Sequence, residues 1–312
     1  MVSEALTSAA TFGGRDASRC LWSGKAMMKL SRFLPERFRR DGAVVPVVRL
    51  AGTIGAVTPL RPGLTLAGVA KLLERAFETR GAKAVAIVIN SPGGSPVQSH
   101  QIYGRIRQLA QEKSLPVLVF VEDVAASGGY MIACAGDEIF CDPSSIVGSI
   151  GVVGGSFGFD GLIAKLGIER RLYTSGKNKA MLDPFLPENP DDVARLKELQ
   201  NEIHLMFIDL VKRSRGAKLN GAEDELFSGA YWTGQRSVAL GLSDAIGDLR
   251  SVLRARFGDK VRTQLIAPPA GLGALLGRRA GGTSEMGALI SEAPEAMISA
   301  LEARAIWARY GF

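Results

Sequence analysis

Histidine is nearly missing from this 312-residue chain, which has only His100 and His204. A nucleophile that relies on an imidazole base therefore has little to draw on. Cysteine is scarce as well. Cys20, Cys134 and Cys141 show no paired metal spacing, and their odd number argues against a disulfide framework, so a reducing compartment fits best. No run of about 18 apolar residues occurs, which excludes an ordinary spanning helix. Residues 1–24 also lack the apolar block and small-residue cleavage site of a secretory signal.

The chain is otherwise of ordinary globular composition, 46% hydrophobic, with enough length for one large domain or two modest ones. Its net charge of +7 is spread along the sequence. One concentration stands out, "KAMMKLSRFLPERFRR" at 25–40, where six cations face the single acid Glu36 and alternate with Met27, Met28, Leu30, Phe33, Leu34 and Phe38. That pattern suits a segment lying on an anionic membrane surface or a partner. Residues 1–24 read as disordered, Met27 or Met28 is a candidate natural start, and 1–42 forms a basic leader. No nucleic-acid partner is expected.

From residue 43 short β-branched runs alternate with helical patterns, as in "AVVPVVRLAGTIG", "GVAKLLERAFETR", "AVAIVIN", a helix near 97–112, and "PVLVFVED". This order predicts an α/β layer of parallel strands buried on both faces. Further strands are expected in "EIFCD", "SIGVVGG" and "ERRLYTS". Residues 191–214 predict a long amphipathic helix with Val193, Leu196, Leu199, Ile203, Phe207 and Leu210 on one stripe. The catalytic-sized domain is expected over 43–258, a Gly/Ala/Pro linker over 259–285 and an amphipathic helix over 286–312.

Two glycine-rich turns follow strand patterns, "INSPGGSP" and "AASGGY". In α/β sheets ligands gather at the carboxyl ends of strands, so both turns are expected to face one crevice. The Gly94 and Gly128 amides would there make a two-donor oxyanion hole beside Ser127. A plainer role competes for Ser127, since serines that cap helices far outnumber nucleophiles and "GGYMIACA" reads as a helix start. The G-x-S-x-G elbow also fails, because position 125 is Ala. As a base, His100 and His204 compete with a lysine held neutral by burial or by a neighbouring cation. Lys177 and Lys179 in "SGKNKAMLDPF" are the lysines that follow a strand pattern.

Four ordered blocks, "VINSPGGSPVQS", "EDVAASGGYMIACAGDEIFCDPSSIVGSIGVV", "SGKNKAMLDPF" and "YWTGQRSVALGLSDAIGD", resemble the S49 serine peptidases of the signal peptide peptidase A group, over residues 45–255. The resemblance implies a ClpP/crotonase-like fold and a Ser/Lys dyad, with Ser127 as nucleophile and Lys179 as general base. It also implies Ser149 as the group orienting the lysine and Gly94 and Gly128 as the oxyanion hole. Neither metal nor cofactor is called for. The sequence departs from several members at Ala180, where they carry an acid after the lysine, and it shows no N-terminal anchor. The resemblance is to the half-length type, which implies a homo-oligomeric ring or dome, such as an octamer, whose sites draw Ser and Lys from one protomer or from neighbours. The substrates implied are unfolded or apolar peptide segments such as cleaved signal peptides, and the location implied is cytoplasmic, with peripheral attachment to the inner membrane face through 25–40. The competing expectations are a crotonase-like acyl-CoA enzyme and a non-catalytic binding or scaffold protein of the same fold. A ClpP-like Ser/His/Asp site has no histidine between Ser127 and Lys179 to draw on.

Overall fold

The computed structural model describes residues 42–55, 63–267, 304–305 and 307–311. The basic segment 25–40, Cys20 and residues 268–303, which hold most of the expected linker and terminal helix, lie outside the described residues.

Strands β1 (Val44–Ala51), β2 (Val85–Ser91) and β3 (Val117–Ala126) are the three apolar runs of the sequence, with β4 (Glu138–Cys141) and β5 (Ile146–Gly148) following close behind. Helices α1 (Leu66–Phe77), α2 (Pro96–Lys113) and α3 (Gly128–Ala133) alternate with them. Then come α4 (Asp160–Lys165), α5 (Pro190–Arg215), α6 (Glu223–Leu226), β6 (Tyr231–Thr233), α7 (Gly234–Ala239), β7 (Ala245–Ile246), α8 (Leu249–Phe257) and β8 (Arg262–Leu265). Among the described residues one sheet runs in the order β6-β5-β3-β2-β1-β8, with β4 beside β3 and β7 beside β4. All pairings are parallel except β5 with β6.

Strand alternation sorts side chains to two faces. Val48, Leu50, Val85, Ile87, Ile89, Val117 and Val119 face a large core beneath α1, α2 and α3. Val45, Val47, Ala86, Val88, Leu118 and Phe120 face a smaller one closed by Leu253, Leu249, Val252 and Phe257 of α8. The layered α/β class expected from the sequence is the one observed. The helices start where the sequence supplies caps. Thr65 accepts from the Gly68 amide, Ser95 from Gln98 with Pro96 next, and Asn189 from Asp191 with Pro190 next.

Three sequence expectations differ from the structure. Strand β8 lies within the expected 259–285 linker, where its pairing with β1 completes the backbone hydrogen bonding of that edge. "SIGVVGG" pairs only through the preceding Ile146–Gly148, and "ERRLYTS" forms no strand. Both runs have the right residue types but lie where the chain leaves the sheet.

A buried polar cluster fixes α3, the helix that begins next to Ser127. The Arg215 guanidinium, at the end of α5, is 1% exposed and donates to Asp244 at 2.9 Å and to the Gly241 carbonyl at 2.9 Å. Lys218 and the Ile139 amide also donate to Asp244. Burial alone would push the Asp244 carboxyl up, but the bonds from Arg215, Lys218 and the Ile139 amide outweigh it and hold the group below the usual carboxylate range. Tyr130 of α3 donates to the Leu242 carbonyl at 2.8 Å, and Ser214 of α5 donates to the Cys134 carbonyl at 2.6 Å. These bonds tie α3, α5 and the segment 241–244 into one unit.

Candidate active site

β3 ends at Ala126, and its register against β5 places Ala126 opposite Gly148. The next residue on each strand is a serine, so Ser127 and Ser149 leave adjacent strand ends on the same edge. The Ser127 amide donates to the Gly148 carbonyl at 2.8 Å, and the Ser149 amide donates to Ala230 at 2.6 Å. Both serines are held at positive φ, 52° for Ser127 and 55° for Ser149. Such a conformation costs a non-glycine residue free energy and persists only where its surroundings enforce it.

Ser127 sits at the N-cap position of α3, yet its side chain makes no capping bond. Among the described residues its hydroxyl has no hydrogen-bond partner. It lines a cleft of about 750 Å³ together with Gly94, Ser149 and His204. Pro92, Pro96, Val152, Val153 and Tyr231 give that cleft apolar walls. The strained backbone supplies the exposed-serine geometry of a nucleophile elbow without the G-x-S-x-G spacing, so the absence of that pattern was no guide here.

The turn after β2 approaches Ser127 closely. A Cβ on Gly93, whose φ is 104°, would stand 2.8 Å from the Ser127 Cβ and 3.0 Å from the Gly128 nitrogen, so only glycine fits. Next to it, the Ile54 amide donates to the Gly93 carbonyl at 2.8 Å and the Ser95 amide to the Ile54 carbonyl at 2.8 Å. This arrangement leaves the Gly94 amide without an acceptor among the described residues, and the Gly128 amide, first in α3, likewise donates to nothing. Two free amides thus lie in turns flanking the serine, as an oxyanion hole requires.

The other sequence candidates fare differently. His100 is exposed and stacks loosely on Tyr103. His204 lines the cleft, but its Nε2 lies 3.1 Å from the Ile150 carbonyl, which engages that nitrogen. Cys134 is fully buried, and burial pushes its thiol up to about 12, so it carries no thiolate at neutral pH. Cys141 is raised by burial as well. Among the described residues no cluster of histidine, cysteine or acidic side chains has the makings of a metal site.

Lys179 is not brought to Ser127 within the chain. It is exposed, its side chain makes no hydrogen bond or ion pair among the described residues, and it is not among the residues lining the serine's cleft. Lys177 lines a different hollow, with Phe157, Asp183 and Asp192. Both lysines lie in an excursion from 153 to 189 whose apolar side chains face outward, including Val153, Phe157, Leu162, Leu166, Ile168 and Tyr173. Ser228, Gly229, Tyr231, Arg309 and Tyr310 also line the cleft, and no motif or periodicity of the sequence points to them. Tyr231 belongs to a quoted block but was given no role, and only a contact spanning the whole chain brings residues 309–310 here.

Comparison with known proteins adds a family. The profile of peptidase family S49 matches residues 109–259. A Na(+)/H(+) antiporter NhaA of Brucella abortus is 55% identical over 289 residues, covering 90% of this chain and 39% of that protein. The chloroplastic serine protease SPPA of Arabidopsis thaliana is 32% identical over 211 residues, covering 66% of this chain and 31% of that protein. The chain thus spans less than half the length of either relative. Among solved structures, a membrane-bound stomatin-specific protease in complex with a substrate peptide aligns at 18% identity and a TM-score of 0.47, covering 74% of this chain and 94% of that one.

Proposed function

With residues 109–259 belonging to peptidase family S49, we propose that the protein is a serine endopeptidase that hydrolyses peptide bonds in unfolded or apolar segments, cleaved signal peptides among them. The observation that carries this reading is Ser127 itself, strained, without a side-chain capping bond, facing a cleft and flanked by turns whose Gly94 and Gly128 amides lack acceptors among the described residues. Ser127 Oγ attacks the scissile carbonyl as a lysine takes its proton, and the two amides bind the tetrahedral oxyanion. The protonated lysine then gives its proton to the departing amine, and water repeats the cycle on the acyl-enzyme. Only a neutral lysine accepts the proton, so the rate rises toward alkaline pH.

In this reading the base is Lys179 and it comes from a second copy of the chain. The excursion 153–189 exposes apolar side chains that need cover, and it carries Lys179, whose side chain has no partner among the described residues. Laid against a neighbouring copy, it covers those side chains and brings Lys179 to the neighbour's Ser127, where Ser149 orients it. A contact between two different surfaces of identical chains closes into a ring when the rotation allows, which supports a homo-oligomer; the octameric size is what the family resemblance implies.

Pro92, Pro96, Val152 and Val153 offer apolar contacts to a bound segment, beside the polar Ser149, His204 and Arg309. Among the described residues no helix is long and apolar enough to cross a membrane, so the antiporter's name gives no support for transport by them. The reading includes a cytoplasmic location with residues 25–40 as a peripheral membrane contact. Fractionation of the intact chain and of one lacking those residues tests that contact, and identical fully soluble behaviour would remove it.

The function is tested by peptide-library cleavage with the wild-type and Ser127→Ala proteins. The serine variant should lose about 10⁴-fold or more in kcat/KM while keeping its fold by circular dichroism. Equal cleavage by the two would sink the serine mechanism, whereas release of thiol from acyl-CoA with no peptide cleavage would favour the crotonase-like alternative.

A further inference from the structure

Helix α5 carries a histidine where its buried stripe meets the cleft. His204 lies three and seven residues before the buried Phe207 and Val211, on the same side of the helix. Gln200, one turn earlier, lies against the same stretch of chain, since a Cβ on Gly154 would stand 2.8 Å from the Gln200 Nε2. Arg215 and Ser214 tie down the far end of α5, so the histidine is presented from a fixed support. The stretch it meets starts at Ser149 and forms one wall of the cleft through Gly151, Val152 and Val153. A carbonyl oxygen has no proton to give, so the His204 Nε2 is the donor to Ile150 at 3.1 Å. That nitrogen keeps its proton and is not the one that takes a proton from Ser127.

What the bond does instead follows from the residue before it. Ser149 is held at φ 55°, a conformation that relaxes unless its surroundings enforce it. On one side the turn is pressed against residues 229–232. The Ser149 amide donates to the Ala230 carbonyl at 2.6 Å, a Cβ on Gly148 would stand 2.7 Å from the Trp232 ring, and one on Gly151 would stand 3.0 Å from the Gly229 Cα. On the other side the Ile150 side chain is wholly buried and its carbonyl is held by His204. With that carbonyl fixed, the peptide plane after Ile150 cannot swing, and Ser149 cannot relax without breaking the bond. The Ser149 hydroxyl is thereby kept at the cleft, where it accepts from the Tyr310 hydroxyl at 3.1 Å. We infer that His204 is a positioning residue, which grips the Ile150 carbonyl so that the Ser149 hydroxyl stands where it orients the lysine base; this rests on the peptidase reading above.

Three variants test the role. His204→Gln keeps a side-chain N–H donor but offers no base, His204→Leu removes the donor, and His204→Asn keeps an amide too short to reach Ile150. The first readout needs no catalysis. In crystal structures Ser149 should keep its positive φ in the wild type and in His204→Gln and should leave it in His204→Leu, with His204→Asn taking the place of the leucine variant if that one does not fold. The second readout is cleavage of a short peptide. His204→Leu and His204→Asn should lose about tenfold in kcat with KM held within about threefold, while His204→Gln keeps kcat within about threefold of wild type. In a Ser149→Ala background the leucine substitution should cost less than about twofold more, because residues that act through one another are not additive. An unmoved Ser149 in the variants without the donor, a loss in His204→Gln equal to that in His204→Leu, or the full tenfold loss on top of Ser149→Ala would overturn the proposal. A displaced Ser149 in a protein whose wild type cleaves no peptide would uphold the grip on Ile150 and overturn the peptidase reading instead.

Discussion

Residues 44–150 and residues 153–189 of the same chain handle their apolar side chains in opposite ways. In the first stretch Val45, Leu50, Ile87, Ile89, Val119 and Ile139 are wholly buried in a two-faced sheet. Each such side chain contributes about 1.5–3 kcal/mol by leaving water. In the second, Phe157 is 75% exposed and Tyr173 90% exposed, with Leu162, Leu166 and Ile168 also more than half exposed. The first region builds the candidate nucleophile, Ser127, and the free amides around it. The second carries Lys179, the base of the proposed reading, and buries little of its own apolar surface. A region rich in apolar residues but poor in internal cover gains stability from any surface that covers it, and in the proposed reading that surface is the cleft of a second copy.

The contrast predicts where substitutions act. The largest effect falls on the polar cluster under α3. Asp244→Ala leaves the Arg215 guanidinium buried without its carboxylate, and should cost about 3–5 kcal/mol of stability, read as a lowered midpoint in urea unfolding. The same pair sets an acid limit. The Asp244 carboxyl is depressed in the folded state, so its contribution is present above the ordinary carboxylate range and is lost as pH falls through the folded value. Wild-type protein should therefore lose stability in that acidic window by more than Asp244→Asn does. An identical pH slope for the two would break the assignment.

Gly93→Ala comes next. Its Cβ would collide with Ser127 at a backbone position only glycine adopts with ease. The substitution should displace the serine and cost about 10²-fold in kcat/KM, with the oligomer unchanged by light scattering. Activity within threefold of wild type would mean that the turn does not hold the serine. Smallest in its effect on the single chain is Phe157→Ser with Leu166→Ser. On an isolated chain, exposed positions tolerate such changes within about 0.5 kcal/mol. The pair should nevertheless shift the sedimentation profile toward smaller species and make activity fall steeply on dilution. An unaltered profile would sever the excursion from assembly.

Much of this was legible in the sequence, for physical reasons that differ along the chain. β1, β2 and β3 are continuous β-branched runs because both faces of a parallel sheet are covered, and that pattern reads directly. Ser127 and Gly94 were singled out because each lies in a glycine-rich turn after a strand run, where an α/β sheet presents its ligands, whereas Ser149 came only from the family resemblance; the structure brings all three to one cleft. "ERRLYTS" misled because the residue types of a strand do not reveal whether any partner strand is within reach. The expected linker hid β8 because four residues at a sheet edge leave too short a pattern to read. The exposed position of Lys179, away from the cleft of Ser127, was not legible because its segment forms no strand that would carry it there, and Tyr310 meets Ser149 through a contact that no local periodicity announces.

The central claim is that one copy supplies the serine and another the lysine, and mixing inactive variants tests it most directly. Ser127→Ala and Lys179→Ala proteins are each assayed alone, then unfolded together, refolded at equal amounts and assayed again. A shared site predicts that both are inactive alone and that the mixture regains a substantial fraction of wild-type activity, because some sites pair an intact Ser127 with an intact Lys179 from the neighbour. A mixture as inactive as its components, beside wild-type protein that recovers fully from the same refolding, would contradict the claim and place both residues of the dyad within one chain.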